Sequence, residues 1–192
     1  MATPSEINVN ALVLQDVVTT SRGAKQIPMM QKDGRPLVWQ PKAPLQPAFD
    51  ASAFGDENAT RVNLVFNPTD EVCAQLSSFD TWCKAELTKD SLRLFGQALS
   101  AEEIERRYQS ALRRSDKSSM LSFRVKMNKS GRNAVRCWDT FRKPREQPAS
   151  WVTCMVTPRL TLRSLWVMNK EVGPVFELSD ALIDELSTEC PF

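Results

Sequence analysis

The 192-residue sequence predicts a mainly β (α+β) chain, a small barrel with helices inserted into it. Three observations carry this expectation. Short runs with period-two apolar alternation recur between turn residues, at the close spacing of a small barrel. Helical periodicity is concentrated in one block, residues 69–115, with one further short helix expected near 179–186. Apolar residues make up 42% of a chain long enough for one buried core and short for two. We therefore expect a single domain over residues 1–192, with a helical insertion at about 69–115 and an acidic C-terminal segment at about 177–192.

In chain order, Ala11 to Leu14 and Val17-Val18 are β-prone. Pro28, Pro36, Pro41, Pro44 and Pro47 then limit the following strands to short or edge pieces. Asp33-Gly34, between Met29-Met30 and Leu37-Val38-Trp39, reads as a hairpin turn. Along residues 61–66 the alternation of Val62, Leu64 and Phe66 predicts a strand that buries those three. Thr69 is an N-cap after Pro68, and Val72, Leu76, Phe79 and Cys83 follow at helical spacing. Ser100-Ala101-Glu102-Glu103 is a capping box. It opens a helix with Ile104, Tyr108, Ala111 and Leu112 inward and Arg106, Arg107, Arg113 and Arg114 outward.

From Met120 the pattern becomes β. Leu121, Phe123, Val125 and Met127 alternate with Ser122, Arg124 and Lys126, giving one buried and one basic face. Residues 128–131 read as a turn to a partner strand at 134–138, and residues 142–148 as an exposed basic loop. Short strands are expected at 151–157, 159–168 and 175–178, then a short acidic helix near 179–186.

The net charge of +2 hides a strong asymmetry. Residues 106–170 carry 16 Lys/Arg against three acids, residues 171–192 six acids and no base, and residues 1–105 nine bases and 14 acids. A section at +13 repels itself unless an anionic partner or an acidic segment lies against it. The chain has no histidine, which removes the commonest base and metal ligand near neutral pH. Its five cysteines are odd in number and include no CxxC pair, so buried thiols fit better than disulfides or zinc. No cofactor or metal is expected, and no nucleophile–base arrangement suggests an enzyme. No run reaches the roughly 20 apolar residues of a membrane span, and the N-terminus lacks a secretory pattern. The expected setting is an intracellular, reducing compartment without membrane contact.

Single-strand binders combine a basic groove for phosphates with aromatic rings on which bases stack. Arg124, Lys126, Lys129, Arg132 and Arg136 fall on one predicted hairpin. Arg142, Lys143 and Arg145 follow in the loop, then Arg159 and Arg163. Trp138 and Phe141, beside the loop, are stacking candidates, Trp151 could stack or pack, and Trp166 reads as core. Asp184, Glu185 and Glu189 precede a terminal Pro191-Phe192. Such an acidic stretch resembles the C-terminal tip of bacterial single-stranded DNA-binding proteins, which implies docking of replication or repair proteins through Asp184, Glu185, Glu189 and Phe192. Ala181, Leu182, Ile183 and Leu186 could equally form a packed amphipathic helix.

The order of elements resembles the OB-fold single-stranded DNA-binding proteins of T-odd phages and the related family in large nucleocytoplasmic DNA viruses. The resemblance runs over residues 28–178. It begins at Gly34-Arg35-Pro36-Leu37-Val38-Trp39-Gln40-Pro41 and continues through the strand at 61–66 and the helical insertion. It then follows Leu121-Ser122-Phe123-Arg124-Val125-Lys126-Met127 and closes on Leu165-Trp166-Val167, Gly173 and Phe176, a tryptophan strand and a glycine-turn hairpin. Val172-Gly173-Pro174 departs from the family, the proline shortening the last strand. The resemblance implies an OB-like five-stranded barrel with inserted helices that binds single-stranded DNA without sequence preference, in replication, recombination or repair. RNA as the polymer, a non-enzymatic protein-interaction subunit, and homo-oligomer formation stay open at this point.

Overall fold

The computed structural model describes residues 3–21, 23–53, 56, 58–114 and 120–186. Its first half contains β1 (Leu12–Leu14), β2 (Val18–Thr19), β3 (Lys25–Gln31), β4 (Leu37–Trp39), β5 (Gln46–Ser52) and β6 (Arg61–Asn67), then α1 (Asp70–Lys89), α2 (Ser91–Phe95) and α3 (Ala101–Arg107). The second half contains β7 (Leu112–Arg114), β8 (Leu121–Asn128), β9 (Arg136–Trp138), β10 (Pro144–Arg145), β11 (Cys154–Met168) and β12 (Glu171–Glu185).

Five strands form a circuit. β5 pairs antiparallel with β6, β6 antiparallel with β8, β8 parallel with β12, and β12 antiparallel with β11. The circuit shuts where Leu45, just before β5, exchanges two backbone hydrogen bonds of 2.7 and 2.9 Å with Val156 of β11. This is an OB-like five-stranded barrel with its helices inserted between the second and third strands. β3 and β4 lie end to end along β11 ahead of Leu45.

Alternation sets what the barrel encloses. Val62, Leu64 and Phe66 of β6 face inward, as do Phe123, Val125 and Met127 of β8. At the centre Phe123 meets Phe176 edge-on at 5.5 Å, and Trp39 lies 6.0 Å from Phe176. Each such aromatic pair contributes about 0.5–1.5 kcal/mol beyond the area it buries. The buried Trp39 indole donates to the Ser5 carbonyl at 3.1 Å. Helix α1 plugs one end: Thr69 caps it by accepting from the Val72 N–H, and Phe79 reaches within 5.8 Å of Phe176.

Several expectations are corrected. Asp33-Gly34 does turn the chain, with Gly34 at φ 83°, but the flanking strands pair with β11 instead of forming a hairpin together. The capping-box helix stops at Arg107. There the Tyr108 hydroxyl donates to buried Asp80 at 2.7 Å and the Gln109 N–H donates to the Val172 carbonyl at 2.8 Å, so Leu112 to Arg114 pair with β8 as a strand. Residues 128–138 are not a hairpin either. The Val135 N–H donates to the Asn128 carbonyl at 2.9 Å, closing a loop, and β9 resumes beside β12 where β8 left it.

The short C-terminal strands are two 15-residue ones. They join at Asn169-Lys170, both at positive φ (52° and 68°), as a two-residue hairpin of the type I′ class. The turn is therefore not at Gly173, and Pro174 does not shorten β12. The Val172 carbonyl points toward Gln109, so by parity the Pro174 nitrogen faces that side and leaves the ladder with β11 intact. Residues 179–186, expected as a helix, complete β12 as far as Glu185. Four apolar residues in six do not reveal their period, and pairing with both β9 and β11 decides in favour of a strand.

Candidate nucleic-acid interface

The parity that buries Val62, Phe123 and Leu162 sends their neighbours to the outside of the barrel, where strand register gathers the cations. Three adjoining grooves lie across β6, β8, β12 and β11. The first, about 490 Å³, is lined by Asn63, Arg113, Arg124, Lys126, Trp166 and Met168. The second, about 500 Å³, holds Arg61, Arg132, Arg136 and Arg163 around Glu177. The third, about 520 Å³, holds Trp138, Arg142 and Arg159 around Asp180. They join in register: Lys126 stands opposite Glu177, and Arg136 opposite Asp180.

The charge on this face is only partly compensated. Glu177 pairs with Arg61, and Asp180 with Arg136 at 2.8 Å and Arg159 at 3.1 Å. Among the described residues, no carboxylate forms an ion pair with Arg113, Arg124, Lys126, Arg132 or Arg163. Burial, and then the nearby Arg61 and Arg124, push the Lys126 ammonium below the usual lysine value. Crowded like charges of this kind are relieved by an anion.

No protein-family model and no curated protein matches this chain. Among solved structures, it is similar to the single-stranded DNA-binding protein from bacteriophage Enc34 in complex with ssDNA, at 11% identity. That likeness covers 92% of this chain and 97% of the other, with a TM-score of 0.48. It is also similar to gp2.5, a single-stranded DNA-binding protein encoded by bacteriophage T7. There the identity is 14%, the coverage 79% and 93%, and the TM-score 0.47.

The residues singled out in the sequence have different fates. Arg124, Lys126, Arg132, Arg136, Trp138, Arg142, Arg159 and Arg163 line the three grooves. Lys129 is exposed in the loop after β8, its N–H donating to the Thr60 carbonyl at 2.7 Å. Phe141, at 83% exposure, and Lys143 stand on a tight loop whose Asp139 accepts from the Lys143 N–H at 2.7 Å. Arg145, in β10, is ion-paired with Glu185. Trp151 is only 4% exposed and packs into the core, so its ring offers no face for stacking. Asp184 and Glu185 belong to the end of β12, while Glu189 and Phe192 lie outside the described residues.

Three basic or aromatic lining residues, Arg61, Arg113 and Trp166, are not among the candidates the sequence offers. The alternation that buries Val62 and Leu64 already places Arg61 on the outer face, so that signal was present. Arg113 was assigned to a helix that ends before it. Trp166 reads as core among Leu165, Val167 and Met168, yet Leu165 is buried while Trp166 is half-buried and Met168 is 61% exposed. A register shift between Leu162 and Leu165 resets the parity, and the sequence does not announce it. One wall of the first groove rests on Asp80, which accepts from the Ser110 hydroxyl as well as from Tyr108. Burial outweighs both hydrogen bonds and holds its carboxyl above the usual value.

Proposed function

We propose that this chain binds single-stranded nucleic acid, DNA in the first place, along the outer face of β6, β8, β12 and β11. Binding is with little sequence preference, and its use is to protect or organise the strand in replication, recombination or repair. One observation carries the reading: Arg61, Arg124, Lys126, Arg132 and Arg163 share adjoining grooves with a half-buried tryptophan at either end, Trp166 and Trp138. A single strand presents a row of phosphates and a row of unpaired bases, and this face offers cations for one and rings for the other. Phosphate neutralisation releases counterions, so affinity falls steeply with salt. Stacking on a ring is worth about 1–3 kcal/mol per base and tolerates any base. The family resemblance in the sequence supports DNA over RNA.

Titration of the intrinsic tryptophan fluorescence with oligo-dT, a matched RNA and a duplex tests this at about 50 and about 300 mM salt. Quenching by oligo-dT, weakened at the higher salt and poorer with duplex, is expected. Absence of binding by any single strand at the lower salt would overturn the proposal, and preference for the RNA would reassign the polymer.

A further inference from the structure

Asp180 occupies the centre of a row that crosses three strands. Register places Arg136 of β9 on one side of it and Arg159 of β11 on the other. Oδ1 is 2.8 Å from Arg136 Nε and accepts from the Trp138 indole at 3.2 Å. Oδ2 accepts from the other end of Arg136 at 2.9 Å, from Arg159 at 3.1 Å and from the Ser179 hydroxyl at 3.0 Å. The carboxylate is only 13% exposed, while Arg136 and Arg159 are 63% and 39% exposed. The acid therefore lies beneath, and the two guanidiniums and the indole lie above it at the surface.

An acid inside a cationic groove repels phosphate, so its presence asks for a reason. Glu177, in the neighbouring groove, takes Arg61 as its cation and does little more than cancel charge. Asp180 differs in kind. It grips Arg136 by two nitrogens, which fixes the plane of that guanidinium. It also anchors the edge of the Trp138 ring. Two cations around one carboxylate leave a net positive charge, and each guanidinium keeps N–H donors that Asp180 does not use.

We infer that Asp180 is a positioning residue of the nucleic-acid site: it holds Arg136, Arg159 and the Trp138 ring as one preformed clamp for a nucleotide, ring against base and guanidiniums against phosphate. The inference rests on the function proposed above. Preorganisation of this sort adds affinity by removing the cost of ordering long side chains on binding. It also makes a prediction opposite in sign to simple electrostatics, because removing the Asp180 charge should weaken the binding of a polyanion.

The test compares oligo-dT affinity and its salt dependence for the wild type, Glu105→Gln, Asp180→Asn and Arg136→Lys. Glu105→Gln, which removes one exposed acid on α3 outside the three grooves, should bind as the wild type does. Asp180→Asn, although one unit more positive, should bind about tenfold more weakly, a loss on the scale of one charge-assisted hydrogen bond. Arg136→Lys changes an exposed side chain and keeps its charge. It should bind several-fold more weakly with an unchanged salt slope, an outcome that stands even if Asp180→Asn does not fold. Wild-type affinity in Arg136→Lys, or equal or tighter binding by a folded Asp180→Asn, would overturn the inference. Failure of the wild type itself to bind would overturn the proposed function instead.

Discussion

Gly173 shows how a single missing side chain lets two parts of the chain meet. A Cβ built there would lie 2.4 Å from the Gln109 carbonyl oxygen and 3.1 Å from the Trp166 indole nitrogen. The obstacle is backbone, which cannot swing aside as a flexible side chain would. Gly173→Ala should therefore lower the unfolding free energy by about 1–3 kcal/mol in urea titrations, and should disturb Trp166 as well. At Asp180 the controlling effect is electrostatic. Burial is the largest single influence and opposes ionisation, but hydrogen bonds from Arg136, Arg159, Trp138 and Ser179 together outweigh it and hold the carboxyl below its ordinary 3.8. A carboxyl lowered on folding stabilises the folded state above its unfolded value, and that contribution disappears as the pH falls through the folded value. Acidification from about pH 5 to about pH 2 should thus cost the wild type more stability than it costs Asp180→Asn. Equal losses would show that the hydrogen bonds to Asp180 contribute nothing to acid sensitivity.

At the level of elements, the β11–β12 hairpin carries its own strain. Asn169 suits the left-handed conformation, but Lys170 at φ 68° does not, and type I′ turns favour glycine at that second position. Lys170→Gly should raise the unfolding free energy by about 1 kcal/mol, measured by thermal or urea unfolding. Elements governed by local chemistry were legible in the sequence: the Thr69 cap, the Ser100–Glu103 capping box and the alternating strands β6 and β8 all stand as read. What the sequence hid was set by distant pairings. Whether Tyr108 continues a helix depends on Asp80 and Val172, far away along the chain. Whether residues 179–185 coil or extend depends on β9 and β11 flanking them. The same division runs through the candidate site. Arg124 and Lys126 follow from alternation within one strand, whereas the Arg136–Asp180–Arg159 row exists only once three strands are in register.

For the whole molecule, eight of the 16 basic residues between 106 and 170 line the three grooves, because strand parity and register carry them to the outside of the barrel. Cations from β6, β8, β11 and the loop after β8 converge there even though Arg61 and Arg163 are about 100 residues apart. Part of the surplus is absorbed by β12, whose Asp180 and Glu185 take Arg136, Arg159 and Arg145, while its Glu177 takes Arg61 of β6. Affinity should depend mainly on the cations left over. Replacing Arg124, Arg132 and Arg163 together by Gln should reduce the slope of log affinity against log salt by about 2, at roughly 0.7 per lost phosphate contact on a single strand. An unchanged slope would take those three residues out of contact with phosphate.

The five tryptophans provide the most direct test, because each indole N–H gives its own NMR signal and they are distributed between core and face. On titration with oligo-dT, the signals of Trp138 and Trp166 should shift or broaden, while those of buried Trp39 and Trp151 stay in place. Movement of Trp39 or Trp151 with Trp138 and Trp166 unmoved would contradict a binding face on the outside of β6, β8, β12 and β11.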